Sequence, residues 1–196
     1  MWRDKLLGVL TLLLFLTGVS TISWVLLKGY FKTQEFKEVG QLSCVTEEVK
    51  TVMKDSHLNG LINKNDPIKV LKDFYNCNSV KRKDLVYFRI SPPIEPAVRV
   101  VYGLPGDKFR VEETDIKNQW HLFINDQRIE VGGSPYYIQS RHTPPLKTYQ
   151  ASRKGVLGEN EYIILSNVPP GLSDSSNLGL IKSSSFEGKV FPLGAK

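Results

Sequence analysis

The stretch "AVRVVYGLPGD" runs from Ala97 to Asp107. Its first half is rich in β-branched residues and reads as a strand. Its second half, Gly-Leu-Pro-Gly-Asp, is a tight turn that needs both of its glycines. One residue does not fit. Arg99 stands four residues before the turn, on a strand that is otherwise apolar.

Working outward, the same strand-and-turn grammar covers the chain from Pro67 onward. Predicted strands are 67–71, 84–90, 97–102, 108–113, 120–126, 127–131, 161–166 and 188–193, dominated by β-branched and aromatic residues. Between them stand turn signals: Asn-Asp-Pro, Ser-Pro-Pro, Asn-Asp, Gly-Gly-Ser-Pro and Pro-Pro-Gly. Residues 132–158 carry three prolines and no periodicity, which predicts a long surface loop. Before Pro67 the segment "CVTEEVKTVMKD" has a weak helical period. There is no internal repeat. The fold class expected is mostly β, an antiparallel domain on a single N-terminal transmembrane helix.

That helix is read from Leu6 to Leu27, 22 residues without a charge. As a helix it would span about 33 Å, enough for a hydrocarbon core of about 30 Å. Trp2, Trp24 and Tyr30 lie near its ends, where aromatic rings favour the interface. The apolar run is long for a cleaved signal peptide and no A-x-A-like site follows, so an uncleaved anchor is expected. The expected division is residues 1–29 as anchor and 30–196 as the β domain.

The net charge of +6 comes without a dense basic run interleaved with aromatics, so nucleic acid is not an expected partner. Scattered lysines suit solubility and proximity to anionic membrane lipid. Cys44 and Cys77 belong to no metal-ligand spacing, and no metal or cofactor is expected. They could pair, closing a loop worth roughly 3–4 kcal/mol in the chain-entropy account, or stay as two buried thiols.

With these pieces in view, the chain resembles the bacterial type I signal peptidases. That family writes "KR-x-x-GLPGD" where this chain has "RVVYGLPGD" (99–107). "LFINDQRIEV" (122–131) is similar to its "L-x-I-N-G-x-x-V". "LGENEYIILSNVPPGLSDSSNLGLIKSSSFEGKV" (157–190) is similar to its "V-P-x-G-x-Y-F-V-L-G-D-N…D-S-R-x-x-G-x-V…G-K". "KRKDLVYF" (81–88) resembles "x-R-G-D-I-V-V-F", and "NDPIKVLK" (65–72) resembles "G-D-x-V-x-V-x-K". The resemblance implies a single-pass protein of the bacterial cytoplasmic membrane with an extracytoplasmic domain. It implies a serine endopeptidase that cuts signal peptides from exported precursors with a Ser–Lys dyad. In such a dyad the serine hydroxyl attacks and a desolvated, neutral lysine takes its proton.

The chain departs from the family pattern at the chemistry. Arg99 fills the lysine place. A guanidinium has no acceptor, and its neutral fraction at pH 7 is below roughly one in 100,000. The nucleophile place is ambiguous. Spacing from Asp66 points to His57, whereas the "S-L-P-x-G-L" pattern of the related conjugation-type peptidases fits Ser56 with Gly60 and Leu61. Ser56 is the favoured candidate and His57 the alternative; His121 and His142 read as strand and loop surface. Asp174 and Ser175 match the family's Asp-Ser, but Ser176 stands in the place of the arginine that pairs with that aspartate. Arg99 is a candidate replacement for that charge. The family's lysine-contacting serine falls on Leu172.

Two function classes follow. One is an atypical signal peptidase using Ser56 and Arg99, supported by His57, Asp174 and Ser175. The other is a catalytically silent homologue that binds exported or pilin-like polypeptides and assists their assembly. A third, an anchored β domain that only holds a partner, also fits the sequence.

Overall fold

The alternation read in Ala97–Gly103 governs the sheet. Val98, Val100 and Tyr102 point into the larger apolar core, and Val101 points to a smaller one on the opposite face. Arg99 shares the face of Val101. The computed structural model describes residues 40–91 and 95–193. The expected anchor, 1–29, lies outside the described residues. Among the described residues no helix is long and apolar enough to cross a membrane.

The strands in chain order are β1 (Glu48–Val52), β2 (Pro67–Lys72), β3 (Leu85–Phe88), β4 (Ala97–Gly103), β5 (Phe109–Glu113), β6 (Gln119–Ile124), β7 (Gln127–Arg128), β8 (Glu130–Val131), β9 (Ser134–Pro135), β10 (Tyr137–Gln139), β11 (Glu161–Leu165), β12 (Ile181–Lys182) and β13 (Phe186–Pro192). Helix α1 (Pro145–Arg153) precedes β11, and the one-turn α2 (Ser175–Leu178) follows it. Seven strands form an antiparallel sheet in the order β1-β2-β13-β3-β4-β11-β12. A smaller sheet has the order β10-β6-β5, with β7 on β6, and β8 pairs β9. The fold is thus the mostly β, antiparallel domain expected.

Two expectations are corrected. Residues 48–52 form a strand rather than a helix. Val49 and Thr51 alternate inward while β1 pairs β2 from Glu48↔Leu71 to Val52↔Pro67. A neighbour with five free ladder positions outweighs a weak local period. The stretch 132–158 is not a bare loop. It carries β10 against β6, and Pro145 opens α1, where a proline costs no hydrogen bond. Leu146 anchors that helix in the main core.

The Gly-Leu-Pro-Gly-Asp turn needs its two glycines for different reasons. A Cβ on Gly103 would meet Leu157 Cδ1 at 2.8 Å, whereas Gly106 has φ +85°. Asp107 closes the turn by accepting from Leu104 N at 2.7 Å. Both of its carboxylate oxygens also accept from Arg82 Nη2, at 3.0 and 2.9 Å, which ties the turn to the entry of β3. Cys44 and Cys77 are joined in a disulfide, 33 residues apart, between the lead-in to β1 and the segment before β3.

Candidate functional site

Arg99 is 1% exposed, and a buried guanidinium must be paired. It reaches three acceptors. Nη1 donates to Asp55 Oδ2 at 3.1 Å and to the Val98 carbonyl at 2.6 Å, and Nη2 donates to the Leu172 carbonyl at 2.6 Å. Nε has no partner among the described residues. One side chain therefore joins β4, the turn after β1 and the loop between β11 and α2. The Arg99 side chain meets the backbone of Leu172, the residue at the family's lysine-contacting serine place.

Asp55 is the residue that sequence reasoning missed. It sits one position before Ser56, in a turn where its Oδ1 also accepts from His57 N at 3.0 Å. The available signal was Arg99 itself. A guanidinium in an apolar strand demands a carboxylate, and Asp55 is the acidic residue closest in sequence to the ambiguous nucleophile place. Met53 anchors one end of this segment in the core and Leu58 the other. Asn167 fastens it to the loop after β11, through Asn167 N to the His57 carbonyl at 2.7 Å and Asn167 Nδ2 to the Asn59 carbonyl at 2.8 Å.

A cleft of about 230 Å³ opens beside Arg99, lined by Asp55, His57, Phe88, Ala97 and Ser173 among others. Ser56 is exposed and is not among the lining residues, while its neighbours Asp55 and His57 are. The cleft's own lysine, Lys54, pairs with Glu95 at 3.0 Å. The hydrogen bond and charge of Glu95 raise the Lys54 ammonium above the ordinary lysine value, so it is held protonated. A second hollow of about 110 Å³ shares Lys54, Asp55, Pro96 and Ala97 with the first and continues between β1 and the start of β4. Both strands offer backbone there. β1 is the terminal strand of its sheet, and β4 pairs β11 only as far as Val100.

Asp174 and Ser175 lie behind the cleft, fully buried. Arg99 does not replace the missing arginine beside Asp174, because its charge is committed to Asp55. Asp174 is satisfied by Tyr136 Oη at 2.9 Å, Ser166 N at 2.8 Å, Ser176 N at 2.9 Å and Ser176 Oγ at 2.6 Å. Four donors replace one counter-charge. Burial, with the Asp174 charge next, pushes the Tyr136 phenol well above the ordinary tyrosine value, so it stays a donor. Ser175 Oγ accepts from Ile164 N at 3.0 Å and holds α2 on β11. His121 is half-buried on β6 with Nδ1 3.4 Å from the Tyr136 carbonyl oxygen, and His142 is exposed; neither lines the cleft.

The Arg99 guanidinium beside the cleft is bound to the Asp55 carboxylate, and the His57 imidazole lines the same cleft. Among the described residues, β1 and the first residues of β4 border the two hollows with strand edges that pair with no further strand.

Among solved structures, one similar to this chain is a signal peptidase I from Enterococcus faecalis V583, at 21% identity and a TM-score of 0.38, covering 57% of this chain and 97% of that one. No curated protein matches the chain. The family model described as signal peptidase, peptidase S26, matches residues 48–193, well over half of the sequence. The strand and turn signatures around Arg99, the segment from β11 to β13 and this match agree, and the chain belongs to the S26 signal peptidase family.

Proposed function

We propose that this protein is a catalytically silent member of its family that binds exported polypeptides in extended form, through their signal peptides or adjoining segments. The observation that carries this reading is the Asp55–Arg99 pair. By the family resemblance it falls where a nucleophile and a neutral amine would meet, and the two side chains are committed to each other at 3.1 Å. Arg99 offers Ser56 no acceptor, Lys54 is bound to Glu95, and among the described residues no hydrogen bond joins the Ser56 hydroxyl to the neighbouring His57. The groove between β1 and β4 supports peptide binding by strand addition, with backbone hydrogen bonds for affinity and the two hollows for side chains.

The same proposal places residues 1–29 as a single membrane anchor and residues 30–196 outside the cytoplasm. The uncharged 22-residue segment supports that placement.

The test is to incubate the detergent-solubilised full chain with a signal-peptide-bearing precursor. Mass measurement reads cleavage, and fluorescence anisotropy of the labelled signal peptide reads binding. Saturable binding with the precursor mass unchanged is expected. Processing at ordinary peptidase rates that is lost in Ser56→Ala would overturn the reading and restore Ser56 as nucleophile. Loss in His57→Ala instead would move the site to His57.

A further inference from the structure

A second cleft, of about 360 Å³, lies away from Arg99, between the entry of β3 and the β6–β7 hairpin. Its polar lining includes Arg82, Lys83, Gln127, Arg128 and Glu130, over the ring of Tyr102. The charges do not cancel. Arg82 is taken by Asp107, and Arg128 faces Glu130 at 3.6 Å. Lys83 has no carboxylate partner among the described residues; its Nζ stands 3.8 Å from the centroid of the Tyr102 ring. Burial, and then the neighbouring Arg82 charge, pull the Lys83 ammonium below the ordinary lysine value. A nearby anion would reverse that pull.

The backbone adds an independent observation. Lys83 has φ +71°, the left-handed region that favours glycine. The family pattern similar to residues 81–88 writes glycine at this place. This chain instead holds a long cationic side chain in a conformation that disfavours it, with its charge aimed over a cleft. Arg128, facing Glu130 across 3.6 Å, brings a second guanidinium to the opposite wall, and the Gln127 amide has no side-chain hydrogen bond among the described residues.

We propose that this cleft binds a phosphate-bearing anion, either the phosphodiester headgroup of an anionic lipid or a soluble phosphate ester. Lys83, held over the Tyr102 ring, is the point charge, and Arg128 is the second cation, exchanging Glu130 for the phosphate. The site is separate from the peptide groove, so it stands or falls apart from the reading above.

The test is calorimetric titration of the full chain in an uncharged detergent. The probes are glycerol 3-phosphate, inorganic phosphate, and mixed micelles carrying phosphatidylglycerol or phosphatidylcholine. Saturable binding is expected with phosphatidylglycerol and not with phosphatidylcholine. Binding of glycerol 3-phosphate as well would identify the soluble ester as sufficient; binding of the lipid alone would identify the headgroup at a surface. Lys83→Gly, which relieves the left-handed strain, should weaken binding about tenfold or more, as expected for loss of a charge-assisted contact. Its thermal midpoint should not fall. Lys117→Gln, on an exposed loop, should bind as the wild type does. Absence of saturable binding with every phosphate probe overturns the proposal. So does wild-type affinity in Lys83→Gly, or an equal loss in Lys117→Gln, which would reduce the effect to net charge.

Discussion

Neutralising Asp55 tests whether its pair with Arg99 holds the segments around β4 together. Asp55→Asn keeps the shape and the oxygen that accepts from His57 N, but removes the counter-charge from a guanidinium that is 1% exposed. Breaking one side of a buried pair typically costs 3–5 kcal/mol. The Asp55 side chain is 29% exposed, so solvent already screens the pair. A loss of about 2–4 kcal/mol is therefore expected. At roughly 2–4 °C per kcal/mol for a chain of this size, the midpoint should drop by roughly 5–15 °C. The sharper test is the second substitution. Arg99→Met alone strands the Leu172 carbonyl and leaves a carboxylate that can turn to water. Added to Asp55→Asn, it removes the uncompensated charge from the apolar strand and should raise stability above the single variant. The assay is thermal unfolding of the full chain in detergent, followed by near-ultraviolet circular dichroism, run as a double-mutant cycle. A coupling energy of about 2 kcal/mol between the two positions is expected. Additive losses, with the double variant less stable than Asp55→Asn, would refute the pairing argument.

Three further outcomes follow from the same geometry. Asp55→Ser combined with Arg99→Lys replaces the ion pair by a hydroxyl and an amine that can be desolvated, and precursor processing should appear in the double variant while both single variants stay silent; a working base contributes about 10²- to 10⁴-fold, so mass spectrometry would resolve even a partial gain. Asp174→Ala removes the acceptor shared by Tyr136, Ser166 and Ser176, and amide exchange should accelerate across residues 166–178 with a stability loss of about 2–4 kcal/mol; unchanged protection there would contradict the role given to Asp174. Glu187 is raised by partial burial, but its hydrogen bonds to Arg89 and Lys72 outweigh that and hold its carboxyl below the ordinary glutamate value. Its contribution is therefore present above the unfolded-state value and lost as pH falls through the lower folded value. Glu187→Gln should flatten the acid limb of the stability profile, and an unaltered limb would count against this bridge.

Sequence alone determined five of the seven strands of the larger sheet, β2, β3, β4, β11 and β13, and the turn between β4 and β5. Alternation of β-branched residues and the Gly-Leu-Pro-Gly-Asp geometry are local properties, written within a few residues of where they act. The family was legible for the same reason, since its motifs are turns and strand ends with fixed internal spacing. Sequence also isolated Arg99, because a guanidinium on an apolar strand conflicts with its surroundings whatever the fold. Residues 48–52 were misread, since their state depends on the free edge of β2, which is not adjacent in the chain. The helix at 145–153 was missed because its short polar face shows little periodicity and its one deep anchor is Leu146. The partner of Arg99 was decided only by the tertiary structure. Asp55, 44 residues away, and Leu172, 73 residues away, meet it through the packing of three separate segments. The same holds for Asp174, whose lost arginine is replaced by a phenol, two backbone groups and a hydroxyl. Charge balance in a buried site is a sum over neighbours in space, and a linear pattern names the residues without stating which of them share that sum.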